Sequence, residues 1–226
     1  KSLKLALRGA DKSNLFKSLL TKQVQDISKK LLNDKQVVPL LLQLLFTPPN
    51  TDNFGRNNPD TWIVPPNIWH TDYPRLGTAA SPGTQMFAFL DQVDPGGGGT
   101  LLIAGSHRLL NDKGILQSKS VKRRLSKERY FQRLFDKTDS NRNELSSFSG
   151  RMDNVPLEAI ELTGNPGDVY FADLRLLHSL AANTSKRPRI MVTQRLITAS
   201  VEARLPSIYR QLAAKKVRQP AAHSNR

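Results

Sequence analysis

Residues 167–196 read GDVYFADLRLLHSLAANTSKRPRIMVTQRL, a stretch in which short apolar runs alternate with turn residues. Two of these runs, DVYFAD and RIMVTQRL, have the length and alternation typical of β-strands. Runs of the same kind precede them in TWIVPPNIWHTD, TQMFAFLDQV, TLLIAGSH and EAIELT, and turn segments such as DPGGGG and TGNPGD separate them. Several short strands at this spacing predict an antiparallel sandwich or barrel rather than a parallel sheet of βαβ units.

The remainder of the chain is arranged around this β-rich core, and we expect a single domain over residues 1–226. Residues 1–61 are predicted to form a helical N-terminal flank, because SNLFKSLLTKQVQDISKKLL has apolar residues at helical spacing. The core is predicted over 62–198, with a basic helical insertion at about 111–156. A basic C-terminal helix and tail are predicted over 199–226. The expected fold class is therefore mainly β with flanking helices.

The composition limits the chemistry that this chain can support. It has 226 residues, of which 38% are hydrophobic, so a substantial core can form. The absence of cysteine excludes disulfides, thiolate metal sites and a cysteine nucleophile, so metal ligands must be His, Asp or Glu. The longest apolar run, VVPLLLQLLF at 37–46, is far shorter than the roughly 20 residues that span a bilayer. We expect a soluble protein without a membrane span, and the sequence assigns neither compartment nor oligomeric state.

The chain carries a strong excess of positive charge, with 34 Lys and Arg against 19 Asp and Glu and a formal net charge of +15. Much of the excess lies in two predicted amphipathic helices, at 118–137 and 204–219. Such a surface would attract nucleic acid, an anionic membrane surface or an anionic small molecule. Neither segment has the aromatic platforms of common nucleic-acid modules, so a solvated helix face is the favoured interpretation and nucleic acid a less favoured partner.

The stretch NIWHTDYP at 67–74 places one of only four histidines two residues before an aspartate. In an extended strand successive side chains point to opposite faces, so His70 and Asp72 would project from the same face, with Thr71 turned away. Both side chains could then bind one metal ion. A His-x-Asp triplet alone is a weak signal, and the sequence must supply a third ligand.

Two further histidines could complete this site, His107 and His178. His178 follows a predicted strand and a short loop, whereas His107 closes another predicted strand in GSHR. Two histidines and one carboxylate form the facial triad of non-haem Fe(II) oxygenases, which leaves open positions on the metal. Asp168 and Asp173 are alternative carboxylates, although Asp168 follows a glycine in a predicted turn.

An arginine follows His178 by 11 residues, at Arg189. This interval is long enough for the chain to turn back and bring the guanidinium into the barrel. A planar, permanently charged fork suits the distal carboxylate of a dicarboxylate cosubstrate. Arg187 has the same strand parity and is an alternative, but Pro188 suggests that the ordered strand begins after it, which favours Arg189.

Three segments together resemble the phytanoyl-CoA dioxygenase family of Fe(II)- and 2-oxoglutarate-dependent oxygenases. They are HTD at 70–72, GGGTLLIAGSHR at 97–108, and the pattern H-S-L-x-x-N-x-S-x-x-P-R over 178–189. The segments occur in the family's order with compatible spacing, and the likeness covers roughly residues 62–198. The resemblance implies a double-stranded β-helix, or jelly roll, with flanking helices.

The resemblance also implies roles for individual residues. Fe(II) would be bound by His70, Asp72 and His178, and Arg189 would pair with the far carboxylate of 2-oxoglutarate. Thr100 lies where similar enzymes often offer a hydroxyl to 2-oxoglutarate. The remaining cosubstrate would be O2.

Phe87, on the strand before the glycine-rich turn, lies near a position where the family packs an aromatic ring on the cosubstrate. The implied reaction is hydroxylation of a C–H bond in a small organic molecule, with anionic and acyl compounds as candidates, and with release of succinate and CO2. Two other functions are also compatible with the sequence. One is a 2-oxoglutarate oxygenase that acts on nucleic acid or protein, and the other is a non-enzymatic basic jelly-roll module that binds polyanions.

Overall fold

The computed structural model describes residues 19–49, 64–65, 68–72, 74–76, 78, 80–138 and 150–217. The start of the predicted helical flank and the predicted tail beyond residue 217 lie outside these residues. The described chain forms two four-stranded antiparallel sheets with flanking helices. This arrangement confirms the expected fold class, a mainly β jelly roll.

Each of the two sheets contains strands from separate parts of the chain. The first sheet contains β1 (Val37–Thr47), β2 (Gly83–Phe89), β6 (Val169–Asp173) and β8 (Arg189–Thr198), in the order β1-β8-β2-β6. The second contains β3 (Thr100–Ala104), β4 (Gly150–Met152), β5 (Val155–Glu161) and β7 (His178–Leu180), in the order β4-β5-β3-β7. The glycine-rich segment between β2 and β3 therefore carries the chain from one sheet to the other.

In the part of the chain that the structure describes, four α-helices flank the sheets: α1 (Lys22–Leu32), α2 (Ser118–Leu125), α3 (Arg129–Phe135) and α4 (Ala199–Val217). Within the predicted insertion, residues 118–125 and 129–135 are helical, 150–152 form strand β4, and 139–149 lie outside the described residues. Residues 199–217 of the predicted C-terminal segment are helical. The hydroxyl of Thr21 caps α1 by accepting a hydrogen bond from the backbone N–H of Val24 at 3.2 Å. None of the helices in the described ranges is long and apolar enough to cross a membrane.

Residues 37–47 differ from the expectation of a helical flank that extends to residue 61, because they form strand β1. The run VVPLLLQLLFT is apolar on both faces, so its periodicity does not distinguish a buried strand from a buried helix. Leu45 packs towards the space between the sheets, whereas Leu42 and Leu44 pack in the cluster that contains Val24 of α1. Pro39 is tolerated because β1 is an edge strand.

Strand β8 lies between β1 and β2 and has two distinct faces. Val192 and Leu196 pack outward in the cluster that includes Val24 of α1, while Met191 packs inward with Phe87 of β2. Since side chains alternate along a strand, the inward face carries residues 189, 191, 193 and 195. The interior therefore receives both Arg189 and Arg195 from one strand.

Candidate metal centre

His70, Asp72 and His178 converge at one point between the sheets, and their potential ligand atoms all lie within 4.8 Å of one another. Nε2 of His70 is 3.2 Å from Oδ1 of Asp72, and Nε2 of His178 is 3.4 Å from Oδ2 of the same carboxylate. His178 lies at the start of β7, whereas His70 lies in an irregular segment. Two backbone hydrogen bonds of 2.9 and 3.0 Å join the two histidines as an isolated antiparallel bridge.

Each histidine is oriented by a backbone carbonyl. Nδ1 of His70 is 2.7 Å from the oxygen of Ile68, and Nδ1 of His178 is 3.1 Å from the oxygen of Leu176. A carbonyl can only accept, so each Nδ1 carries the proton. Nε2 can then donate to Asp72 when it also carries a proton, or offer its lone pair to a metal ion when the ring is neutral. Both Nε2 atoms face the carboxylate. This is the arrangement in which histidines bind a metal, so the residues present fit an Fe(II) ion.

The carboxylate of Asp72 has two further partners that sequence reasoning missed. Nε2 of Gln85 donates to Oδ2 of Asp72 at 2.9 Å, and the Arg195 guanidinium forms a short ion pair with the same oxygen. Burial opposes ionisation, but hydrogen bonds from the two histidines and the charge of Arg195 hold the pKa of Asp72 well below its usual range. Asp72 is therefore a carboxylate at neutral pH, the form that binds a cation.

Arg189, the predicted partner of a distal carboxylate, is almost completely buried, with 2% exposure. Nη2 donates to the hydroxyl of Thr47 at 2.7 Å, and Nη1 lies 3.4 Å from the hydroxyl of Thr100. Burial lowers its pKa to about 10, an effect that the charge of Glu161 partly offsets, so the guanidinium remains protonated at neutral pH. Its hydrogen-bonding contacts in the described ranges include no carboxylate. The structure thus places Arg189 and Thr100 together, and adds Thr47.

Phe87 lies beside the triad. Its ring is edge-on to that of His178, with centroids 6.3 Å apart. Gln85 and Phe87 are two residues apart on β2, so both side chains face the interior. The Phe87 ring therefore gives the interior an apolar surface next to His178.

The alternative candidates lie elsewhere. Arg187 is exposed and pairs with Asp91 at 2.7 Å. Asp168 caps its own turn by accepting from the backbone N–H of Asn165 at 2.8 Å, and Asp173 forms an ion pair with Arg175 at 2.8 Å. His107 is outside the cluster of potential ligands, and burial lowers its pKa.

A cleft of about 410 Å³ opens beside Asp72. Thr71 and Pro74 line one side, and Gln117 and Ser118 at the start of α2 line another. Side chains of α4, including Tyr209 and Leu212, complete the wall. Apart from Asp72, no charged side chain among the described residues lines it.

Comparison with known structures identifies proteins with a similar fold. EctD from S. alaskensis, solved with 2-oxoglutarate and 5-hydroxyectoine, matches with a TM-score of 0.53 and 19% identity over 84% of this chain and 54% of EctD. EvdMO1 matches with a TM-score of 0.50 and 18% identity over 81% of this chain and 32% of EvdMO1. At such low identity the likeness shows a shared fold. The chain spans about half of the first protein and about a third of the second.

A comparison with curated protein sequences gave no match. The family comparison is decisive by its extent, since the phytanoyl-CoA dioxygenase (PhyH) model matches residues 4–191 and so covers most of the chain. The match includes both triad histidines, Asp72 and Arg189. With its jelly-roll fold, the chain belongs to the phytanoyl-CoA dioxygenase family of Fe(II)- and 2-oxoglutarate-dependent oxygenases.

Proposed function

We propose that this chain hydroxylates a C–H bond of a small organic molecule in a reaction that requires Fe(II), 2-oxoglutarate and O2. The observation that carries the proposal is the pairing of two features in one interior. One is the His70, Asp72 and His178 cluster, and the other is the buried Arg189 without a bound carboxylate partner among the described residues. A metal centre and a separate carboxylate anchor are together what a 2-oxoacid cosubstrate needs.

The three ligands would hold Fe(II) through the two Nε2 atoms and an oxygen of Asp72. The carbonyls of Ile68 and Leu176 hold the rings in the required tautomer. Three protein ligands leave three positions on a six-coordinate ion for small molecules. When bound, the iron centre supplies the oxidising chemistry in which RH, 2-oxoglutarate and O2 become ROH, succinate and CO2.

The cosubstrate would lie between the triad and Arg189. The guanidinium would bind the far carboxylate, with the hydroxyls of Thr47 and Thr100 already in contact with its two Nη atoms. Phe87 would pack against the cosubstrate, because its ring lies beside His178 on the inward face of β2. These residues bind and orient the cosubstrate, and the buried apolar surroundings exclude water from it.

The cleft beside Asp72 is the proposed substrate site. Its volume of about 410 Å³ suits a small organic molecule. Apolar surfaces of Pro74 and Leu212 and the uncharged polar groups of Gln117 and Ser118 favour a substrate that is neutral where it enters the cleft. The net charge of +15 would then act on approach from solution rather than within the site.

The test is an anaerobic Fe(II) titration of the metal-free protein, with and without 2-oxoglutarate. We expect a weak visible charge-transfer band when both are present. The band should be lost in His178→Ala and Asp72→Ala, and it should persist in the matched control His107→Ala, whose histidine lies outside the cluster. Circular dichroism of each variant confirms that the fold is intact. A folded wild-type protein that gives no band overturns the proposal.

Turnover provides the second measurement. Candidate substrates are tested in pairs that share one carbon chain, such as an amide and the corresponding carboxylate. In each pair the neutral compound should stimulate succinate release more than the anionic one. Stronger stimulation by the carboxylate would contradict the neutral-substrate assignment and leave the cofactor assignment intact. The rival polyanion-binding function requires only the basic helices, and would instead show steep salt dependence with no dependence on the triad.

A further inference from the structure

Asp72 differs from the two histidines in how it is supported. Each histidine is oriented by a carbonyl two residues before it, whereas the partners of Asp72 come from distant strands. Gln85 lies on β2 and Arg195 lies on β8, and both donate to the same oxygen, Oδ2. The carboxylate is therefore held at one oxygen by two separate elements.

The two donors are themselves fixed by further hydrogen bonds. The Arg195 guanidinium also donates to Oε1 of Gln43 on β1 at 2.9 Å. Nε2 of Gln85 lies 3.1 Å from the hydroxyl of Thr193, which in turn donates to the carbonyl of Met86 at 2.8 Å. These contacts link three hydrogen-bonded neighbours of the first sheet, β1, β8 and β2.

The strand register makes this support rigid. Gln43 is paired with Thr193 across β1 and β8, and Gln85 is paired with Arg195 across β2 and β8. Side chains at paired positions share one face of a sheet, so all four point to the same side. Asp72 lies outside the named strands. A ligand carried by an irregular segment is thus positioned by groups on a hydrogen-bonded sheet.

We propose that Arg195 and Gln85 are positioning residues that fix Oδ2 of Asp72, so that the carboxylate presents Oδ1 to the metal ion. The inference rests on the proposed function, because it concerns the same metal centre. Each oxygen faces one histidine, Oδ1 at 3.2 Å from Nε2 of His70 and Oδ2 at 3.4 Å from Nε2 of His178, but only Oδ2 also accepts from Gln85 and Arg195. A carboxylate that coordinates through one oxygen takes a single position on the ion, and the remaining positions stay open for small molecules.

Two physical effects of Arg195 on the metal have opposite signs, which makes the proposal testable. A positive charge near the site repels a cation, so its removal should tighten metal binding if charge alone matters. Loss of an outer partner that orients a ligand typically weakens metal binding by about 10–100-fold. Positioning therefore predicts weaker binding in Arg195→Met, and electrostatics alone predicts the reverse.

The experiment measures the dissociation constant of Fe(II), and of redox-inert Co(II), by anaerobic titration of folded protein. We expect about a tenfold or greater weakening in Arg195→Met, a smaller loss in Gln85→Met, and partial recovery in Arg195→Lys. The visible spectrum of the Co(II) protein reports coordination geometry, and it should change in Arg195→Met. The matched control is Arg187→Met, which removes the same charge from an exposed surface pair and should leave both readouts unchanged.

Each contrary result has a distinct meaning. Unchanged or tighter metal binding in Arg195→Met overturns positioning while the proposed function stands. Unchanged metal affinity with weakened 2-oxoglutarate binding also overturns it, because Arg195 would then be a second anchor for the cosubstrate. A lower unfolding temperature without a change in metal affinity shows a merely structural role. A wild-type protein that binds neither ion overturns both the proposed function and this inference.

Discussion

Two buried arginines, Arg75 and Arg189, are equally hidden from solvent, each with 2% exposure, yet they have different surroundings. The Nη atoms of Arg75 donate to the carbonyls of Arg175 at 2.8 Å, Ser106 at 3.0 Å and His107 at 2.8 Å, and also closely contact that of Leu109. Those of Arg189 reach two threonine hydroxyls and, at 3.8 Å, a methionine sulfur. Burial lowers the pKa of both to about 10, so both are charged.

If the proposed function is correct, this difference distinguishes an arginine that supports the fold, Arg75, from one that binds a ligand, Arg189. Carbonyl oxygens are strong acceptors that a folded chain can supply permanently, and Arg75 uses them to join the turn at 106–109 to Arg175, just before β7. Hydroxyls are weaker partners for a guanidinium, so Arg189 retains capacity for an anion. A buried arginine thus indicates a ligand site when the fold itself supplies only weak partners.

The largest effect is expected from Arg75→Met. It removes a buried charge together with four carbonyl contacts, and should lower the free energy of unfolding by about 3–5 kcal/mol. Urea denaturation measures this change. The exposed control Arg187→Met should stay within about 0.5 kcal/mol of wild type. If Arg75→Met lowered the free energy of unfolding no more than Arg187→Met, the structural role assigned to Arg75 would be wrong.

Arg189→Met should show the opposite pattern. Loss of a charge-assisted, two-pronged contact should weaken 2-oxoglutarate binding by about 2–3 kcal/mol, or roughly 30- to 150-fold. The free energy of unfolding should be unchanged or higher, because an apolar side chain replaces a poorly satisfied buried charge. Calorimetric titration of the Co(II) protein and urea denaturation measure the two quantities. Destabilisation as large as that of Arg75→Met would identify Arg189 as structural.

The smallest effect concerns Asp173, which is paired with Arg175 beside the Arg75 cluster. Burial opposes its ionisation, but side-chain and backbone hydrogen bonds from Arg175 lower the pKa of Asp173 below its usual value. A lowered pKa contributes stability that is fully present above the unfolded value, near pH 4, and is lost as the pH falls through the folded value. The pair should therefore stabilise the fold at neutral pH.

Asp173→Asn should accordingly lower the free energy of unfolding by about 1.5 kcal/mol at pH 7. The deficit should shrink below about pH 4, since the wild-type carboxylate then becomes protonated. Urea denaturation across this pH range measures it. A deficit that is constant with pH would show that the charge of Asp173 contributes nothing, and that only its shape matters to the cluster.

Sequence patterns found the parts of the site that are encoded locally. The spacing of His70 and Asp72 and the family-like segment from His178 to Arg189 identified a candidate set, and the structure gathers the three potential metal ligands within 4.8 Å. The roles of these residues remain predictions. The mainly β class and the family were also predicted, because short alternating strands and ordered motifs are visible in the chain itself.

Strand β1 was missed for a physical reason. VVPLLLQLLFT is apolar on both faces because one side meets the interior and the other meets α1, so it lacks the alternation that marks a half-buried strand. These residues form a strand because they pair with β8, which lies at the other end of the chain. That missed strand carries Gln43, which accepts from Arg195, and Thr47, which accepts from Arg189.

The sequence by itself determined the types of group available: oxygen and nitrogen ligands without thiolates, a His-x-Asp pair, and arginines at residues 189 and 195. Period-two alternation from Arg189 could even have placed Arg195 on the same face. Only the tertiary structure decided which groups share space, since Asp72 meets Arg195 across 123 residues and Thr47 meets Arg189 across 142. Contacts at such separations arise from sheet register and closure of the jelly roll, which depend on the whole core rather than on local pattern.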